Sequence, residues 1–394
     1  MSSPSEQEIQ TLLNCLRTTF TASDKATREA AEKQLQTFQK DIIVFTRLLF
    51  EIIQSSDTSI DQATKMSIIL HLNRTVSKSI VSNTIPQNQK IEIIKLYLNY
   101  LSLPNVSNKF LVNMSEGFES ILTSTENEPK VLIELTGLIL SNIGNVSLHS
   151  IKGMIMILEK IVTCEALTKL NFVKVIGEVF NISQAITQIL IAQLDNAECS
   201  YEKNPSLFLY VNDSLANLFQ LFFICVFKLK RKIHEAGLPK NEIQKAFNIF
   251  IPIGIQILFK NIKDNSIISW TGIKDLDNTI NNLKVKIMKF INNTVLTLSD
   301  FINDEQTKKF HSEIIKRILV NMEYIINEKM KNIIYMSEEE TTGDNEPTDL
   351  SNNYKYSLLI SQMIIYLNRI STIETFKVEL SSLYNNIFIN IILP

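Results

Sequence analysis

The chain has 394 residues, with 39 lysines and arginines against 41 aspartates and glutamates, so its formal net charge is −2. This balance gives no general affinity for nucleic acid or for an anionic membrane surface, and neither is expected as a partner. Only 9 glycines and 9 prolines occur, while 45% of the residues are hydrophobic. Few helix breakers among many apolar residues favour an almost entirely helical protein.

Secretion and membrane insertion are not expected from the sequence. The N-terminal segment is polar and acidic and lacks the apolar core of a signal peptide. The most apolar run, Leu215–Phe227, is interrupted by Asn217 and Gln220, and we judge it too short to span a bilayer. The widely spaced cysteines are expected to be reduced thiols of a cytosolic or nuclear protein; they are Cys15, Cys164, Cys199 and Cys225.

The N-terminal segment predicts two helices that pack as an antiparallel pair. The apolar residues of the first helix recur at helical spacing and are Ile9, Leu12, Leu13, Leu16 and Phe20. After a short polar turn, Ser23 or Asp24 can cap the second helix. Its narrow apolar stripe consists of Ala31, Leu35 and Phe38, and the small alanine lets the first helix approach closely.

Four further helices are predicted in residues 1–125. Their apolar positions span Phe45–Ile53, Ala63–Val76, Ile91–Leu101 and Phe110–Leu122. Leu70 is assigned to the apolar face of the second of these helices. Three helix pairs therefore occupy this segment, and each takes roughly the 40–47 residues of a HEAT or armadillo unit.

Helices with short polar breaks continue to the C-terminus. They are predicted at 131–142, 147–163, 170–193, 207–235, 241–263, 283–298, 303–335, 354–370 and 374–392. The polar segment 264–278 is predicted to be a loop, and the acidic segment 337–352 is predicted to be disordered because it lacks aliphatic periodicity. Ser371 and Glu374 are expected to form a capping box at the start of the last helix.

These elements predict an all-α fold, an α-α superhelix in which antiparallel helix pairs stack as a HEAT/armadillo-like solenoid. A compact helical bundle is the alternative, and the strict succession of helix pairs favours the solenoid. We divide the chain into the repeats of 1–125, further helical repeats in 126–336, the acidic loop 337–352 and a C-terminal helix pair in 353–394.

No catalytic or metal-binding pattern is found, so an enzyme, a cofactor and a metal are not expected. The histidines have no partner at metal-ligand spacing; they are His71, His149, His234 and His311. We expect His71, in the middle of a helix, to be hydrogen-bonded or solvent-facing. Trp270, the only tryptophan, lies in a polar segment and could anchor a partner or pack between repeats; packing is slightly favoured.

The second predicted helix carries an R-x-x-A-E-x-x-L pattern, formed by Arg28, Ala31, Glu32 and Leu35. Behind a first amphipathic helix, this pattern resembles the first repeat of the importin-β (karyopherin-β) family. The segment 61–76, DQATKMSIILHLNRTV, is similar to that family's second repeat, with Asn73 and Arg74 at the place of a Lys-Asn pair and an altered order. The resemblance in residues covers about 6–78, and beyond that it concerns architecture alone.

The resemblance implies a nuclear transport receptor that shuttles between cytoplasm and nucleus. Such receptors bind the GTP form of the Ran GTPase on inner helices, phenylalanine-glycine pore proteins between outer helices, and protein cargo. By position, the residues implied to contact Ran are Arg28, Glu32, Lys33, Lys65, Asn73 and Arg74. Trp270 is a further candidate for partner binding.

Family members are typically more than twice as long as this chain. The apolar C-terminal residues do not resemble the polar cap of a terminal repeat, so we expect either a longer protein or an end that packs against something else. Two other classes remain open: a HEAT scaffold subunit of a large assembly without transport activity, and a regulatory HEAT subunit of an enzyme.

Overall fold

The computed structural model describes most of the chain. The described residues are 6–57, 60–81, 85–104, 106–124, 148–232, 240–259, 271–297, 305–324, 350–374, 376–378 and 380–381. Their regular secondary structure is helical, and no strand occurs among them.

Thirteen α-helices and two short 3-10 turns make up the described part of the chain. The helices are α1 (Glu6–Thr21), α2 (Lys25–Phe38), α3 (Ile42–Gln54), α4 (Gln62–Val81), α5 (Gln87–Leu101), α6 (Asn108–Ser124), α7 (Ile151–Thr163), α8 (Glu165–Leu194), α9 (Pro205–Lys232), α10 (Lys240–Phe259), α11 (Lys274–Thr297), α12 (Glu305–Tyr324) and α13 (Leu350–Ile370). The 3-10 turns are Leu148–Ser150 and Ala197–Cys199.

Aspartate caps start α2 and α3. The carboxylate of Asp24 accepts a hydrogen bond from the backbone N–H of Thr27 at 2.8 Å, as predicted for this cap. Asp41 does the same for Ile43 and Val44, each at 3.1 Å. Both caps satisfy backbone donors that have no partner within the helix, so the turns between the first three helices are short and well defined.

The contacts divide the chain into two compact units, and the first is Met1–Ile182. In this unit α1, α3 and α5 lie side by side in one layer, and α4, α6 and α7 lie in a second layer. The pairs α1–α2, α3–α4 and α5–α6 connect the layers. Edge-to-face packing of Phe50 on Tyr97, with ring centroids 5.3 Å apart, joins α3 to α5.

The second unit is Ser183–Pro394. Here α11 lies between α9 and α13 in one layer, while α10 and α12 pack together in another. The core of this unit is aromatic: the ring of Phe222 on α9 lies 4.0 Å from that of Phe250 and 5.6 Å from that of Phe290, centroid to centroid. In the first unit, α1, α3 and α5 each pack on the next helix in the chain; in both units, most helices pack on the helix after next. The predicted fold class, an all-α array of HEAT/armadillo-like helix pairs, is confirmed.

The predicted polar loop 264–278 is wrong in its last residues, because α11 begins at Lys274. The carboxylate of Asp277 accepts hydrogen bonds from the backbone N–H groups of Thr271, at 2.8 Å, and Gly272, at 3.1 Å. Gly272 has φ 81°, which glycine adopts without strain. The polar residues here therefore form the start of a helix, where a carboxylate also interacts favourably with the positive end of the helix dipole.

Two other predicted boundaries and one predicted cap also differ. Helix α8 begins at Glu165, earlier than the predicted 170, and α13 begins at Leu350, inside the predicted acidic segment. The capping box between Ser371 and Glu374 is not formed. The hydroxyl of Ser371 donates to the backbone carbonyl of Asn368 at 2.7 Å, and the carboxylate Oε2 of Glu374 lies 3.5 Å from Nζ of Lys377. The predicted helix 131–142, Trp270, the acidic residues 337–349 and the end of the last predicted helix, 382–392, lie outside the described residues.

Two stretches of the described chain are long and apolar enough to cross a membrane by length and composition alone, Val175–Leu194 and Pro205–Leu229. In their most apolar windows, 50% and 61% of the residues are buried inside the protein, and core helices of water-soluble proteins meet the same criterion. The apolar run 215–227, judged too short from the sequence, lies within the longer apolar stretch Pro205–Leu229 of α9, which meets the length criterion.

Candidate protein-binding face

The predicted contact residues of α2 lie on its outer surface. Arg28, Glu32 and Lys33 are exposed, whereas Ala31 and Leu35 on the opposite side are 7% and 2% exposed. Neither Arg28 nor Glu32 forms an ion pair with another described residue. The charged side chains that the sequence singles out on this helix are therefore open to a partner.

Lys65 of α4 holds another helix in place. Its Nζ donates a hydrogen bond to the backbone carbonyl of Ser55 at 2.5 Å, at the end of α3. A cation at this place also interacts favourably with the negative end of the helix dipole. The side chain is half-buried, so the structure gives Lys65 an intramolecular role at the α3–α4 turn.

Asn73 joins three helices rather than pointing outward. Its Nδ2 donates to the carbonyl of Asn113 on α6 at 2.7 Å, and its Oδ1 accepts from the hydroxyl of Tyr97 on α5 at 2.8 Å. A Cβ at Gly117 would lie 2.1 Å from that Oδ1, so α6 needs a glycine opposite the asparagine. These contacts hold α4 and α6 at a fixed separation.

The outward surfaces of α4 and α6 form one continuous surface, which we call the α4–α6 face. It consists of Leu70, Arg74 and Lys78 of α4 with Lys109, Val112 and Glu116 of α6, all of them exposed. Leu70 is 52% exposed and Val112 38% exposed. The prediction that Leu70 belongs to the apolar core face is wrong, because the helix is turned so that Ile68, Ile69 and Leu72 are buried. Exposed aliphatic side chains among charged ones are typical of a protein-binding surface.

His71 lies beneath this face. Its ring packs edge-on against Phe20 and Phe45, with centroids 6.3 and 6.1 Å away, and its Nε2 lies 3.3 Å from the Nε2 of Gln39 at the end of α2. Burial lowers its pKa, and the positive charges of Arg74 and Lys78 act in the same direction. His71 is therefore a packed, hydrogen-bonded side chain that links α2 to α4.

The contact made by Asn73 recurs in the second unit. Nδ2 of Asn293 on α11 donates to the carbonyl of Phe223 on α9 at 3.3 Å, and Nδ2 of Asn292 donates to the carbonyl of Gln362 on α13 at 2.9 Å. In each case a side-chain amide that is at least half-buried bonds to the backbone of the neighbouring helix in the same layer. These residues could not be identified from the sequence, because asparagine is abundant throughout the chain. The feature that could have indicated an interhelical contact is an asparagine within an otherwise apolar helix face.

Trp270 lies outside the described residues. Within the part of the chain that the structure describes, no group of three or more His, Cys, Asp or Glu side chains could hold a metal ion.

No protein-family model and no curated protein matches the chain. Among solved structures, the chain is similar to the karyopherin Kap121p bound to the SUMO protease Ulp1p, with 13% sequence identity and a TM-score of 0.45. It is also similar to Kap121p bound to RanGTP, with 13% identity and a TM-score of 0.40. Both likenesses cover 94% of this chain and 33% of the solved chain. The chain thus spans a third of the length of the solved chains it matches.

Proposed function

We propose that this chain is a non-enzymatic binding protein of the importin-β type, which carries protein cargo between cytoplasm and nucleus. Its regulator is the GTP form of the Ran GTPase, bound on α2 and the α4–α6 face. The observation that carries this proposal is the position of the motif residues: Arg28, Glu32, Lys33 and Arg74 are all exposed, on helices joined by the contact between Gln39 and His71.

The six residues implied by the resemblance divide into two roles. The four exposed side chains contact the GTPase directly. Lys65 and Asn73 position the contact surface, because their polar atoms are bonded to Ser55, Asn113 and Tyr97. Leu70 and Val112 add the apolar centre that a stable protein interface needs. Trp270 is proposed as a second anchor for a partner.

For the phenylalanine-glycine pore proteins we propose the other layer of the first unit, formed by α1, α3 and α5. Val44 on α3 is 43% exposed there, beside Ile43 and Phe45, which are 6% and 0% exposed. An exposed aliphatic side chain on this layer is a surface that a phenylalanine side chain can cover.

The test is binding of the full chain to Ran loaded with GTP or with GDP, measured by biolayer interferometry. We expect binding to the GTP form only. The combined variant Arg28→Glu, Lys33→Glu and Arg74→Glu should weaken it at least about tenfold, since each exposed ion pair contributes up to about 1 kcal/mol and about 1.4 kcal/mol is tenfold.

The matched control is Lys95→Glu, an exposed residue on α5 in the opposite layer, which should bind as the unchanged chain does. Binding that is independent of the nucleotide, or no binding at micromolar concentration, would contradict the receptor role and favour a HEAT scaffold subunit. Equal loss of binding in the control would contradict the assignment to α2 and α4.

A further inference from the structure

Three helices that pack side by side in the second unit lack carboxylates over most of their length. No aspartate or glutamate occurs in Ser214–Lys232 of α9, in Asn278–Thr297 of α11 or in the whole of α13. The same stretches contain four lysines and arginines in α9, three in α11 and two in α13. The whole chain has a net charge of −2, so these stretches differ from the rest of the sequence in their excess of positive residues.

The same layer exposes large apolar side chains. Phe223 and Phe227 on α9 stack at 17° between their ring planes, with centroids 6.3 Å apart. Phe227 is 43% exposed, and Ile364 on α13 is 50% exposed; Phe223 and Ile224 are half-buried. Apolar side chains left in water carry a free-energy cost that a partner can recover by covering them.

Hydrogen bonds place lysines next to the aromatic pair. Nζ of Lys286 on α11 donates to Oε1 of Gln220 at 2.8 Å, and Gln220 lies one turn before Phe223 on α9. Lys289 lies one turn before Asn293, whose amide reaches the carbonyl of Phe223. Lys289 is half-exposed, and no described residue forms an ion pair with it.

We propose that this surface, the α9–α11–α13 face, binds an acidic segment of a partner protein that carries phenylalanine or leucine side chains. The face is defined by Phe223, Ile224 and Phe227 of α9, Lys286 and Lys289 of α11, and Ile364 of α13. The apolar anchors of the partner cover Phe227 and Ile364, and its carboxylates lie against the two lysines. The two lysines of the face favour acidic segments, since a basic segment would be repelled by them.

The exposed aliphatic and aromatic area favours a protein segment over nucleic acid. Contacts to nucleic acid are made largely to phosphates and sugars, through many cations. Here the side chain of Ile364 can neither pair with a phosphate nor stack on a base. The exposed apolar side chains lie on two of the three helices, α9 and α13. An extended or helical peptide with alternating carboxylates and apolar side chains matches both properties.

The experiment measures binding of the full chain to a short fluorescein-labelled peptide, in which glutamates flank two phenylalanines, by fluorescence anisotropy. We expect binding that weakens as salt is added, because exposed charges are screened. Lys286→Glu with Lys289→Glu should weaken it at least about tenfold, and Phe227→Ser should weaken it several-fold. A peptide with lysines in place of the glutamates should not bind.

Lys203→Glu is the matched control: it reverses a lysine of the same unit, before α9, that is paired with Glu198 at 2.7 Å, and it should leave binding unchanged. Circular dichroism and a thermal melt confirm that each variant is folded. No binding of the acidic peptide overturns the proposal, as does equal binding of the lysine peptide.

Tighter binding of oligo-deoxythymidine, or of phosphatidylserine vesicles, than of the acidic peptide would overturn the proposal and assign the face to that other ligand. Self-association of the chain that is abolished by Phe227→Ser, measured by sedimentation velocity, would likewise overturn it and make the face an interface between copies. The Ran measurement uses residues of the first unit, so the two proposals can fail separately.

Discussion

His311 is a buried histidine whose protonation opposes folding. It is 1% exposed on α12, its Nδ1 lies 2.7 Å from the hydroxyl of Tyr366 on α13, and the ring of Phe376 packs edge-on against it. Burial lowers the pKa of His311 from its usual 6.5 to about 4. Removing a cation from water in this apolar surrounding costs more than the one hydrogen bond recovers.

We therefore expect the second unit to lose stability as the pH falls from 6.5 to 4. In this range the unfolded chain binds a proton at His311 and the folded chain does not. The free energy of unfolding therefore decreases as the pH decreases. The full effect is about 3 kcal/mol. Urea unfolding at several pH values should show this slope, and His311→Gln should flatten it.

Tyr366→Phe separates burial from hydrogen bonding. It removes the hydroxyl while leaving the histidine buried, so it should lower the stability at every pH and keep the slope. A slope that is the same in His311→Gln as in the unchanged chain would show that other groups cause the acid sensitivity.

Single residues were the least predictable level from sequence. The cap at Asp24 could be predicted because capping is local and depends on the next few residues. The roles of Leu70 and Asn73 could not be predicted, because they depend on the rotation of α4 against α6. Contacts with Gly117 and Tyr97, more than twenty residues away in the sequence, set that rotation. A helical pattern identifies a buried face, but it does not show which polar residue at its edge is used between helices.

At the scale of elements, the contact of α5 with α7 depends on one glycine. A Cβ at Gly153 would lie 1.7 Å from the carbonyl oxygen of Leu101, the last residue of α5. Because the obstructing atom belongs to the backbone, an alanine cannot be accommodated by a side-chain rotation. The N-terminal part of α7 is therefore packed directly on the end of α5.

Gly153→Ala should lower the free energy of unfolding by about 3 kcal/mol or more, at the upper end of the usual cost of overpacking. Urea unfolding followed by circular dichroism measures it. The control is Gly254→Ala, where the nearest atoms to a new Cβ are side-chain carbons of Ile287 and Phe219 at 3.1 and 3.2 Å. These can move slightly, and alanine favours the helix, so we expect a change of about 1 kcal/mol or less. Equal losses in the two variants would contradict the close approach of α5 and α7.

Element order was predictable because breakers are few and apolar periodicity is long, whereas element ends were not. Helix α11 starts inside a segment that is polar enough to be taken for a loop, since Asp277 serves as an N-terminal acceptor for Thr271 and Gly272. Polar residues at a helix start and polar residues in a loop have the same composition, and only the hydrogen bonds distinguish them.

For the whole molecule, the alternation of helices in two layers follows from the sequence, while the division after Ile182 does not. That division falls within the continuous helix α8, so no helix breaker or polar segment in the sequence marks its position. The strongest contacts within each unit join helices that are adjacent in the chain or separated by one helix. In such an array, stability is approximately a sum of local terms, and a defect is felt by the repeats next to it.

Gly153→Ala should therefore reveal how far a defect spreads. Hydrogen–deuterium exchange of the full chain, read by mass spectrometry, should show faster exchange in α5, α6 and α7, because these helices share the altered contact. Peptides from α9, α11 and α13 should keep their protection, since their core around Phe222 and Phe290 is formed within the second unit. Uniformly faster exchange along the chain would instead mean that it opens as one cooperative body, and the local character expected of a helical repeat array would then be wrong.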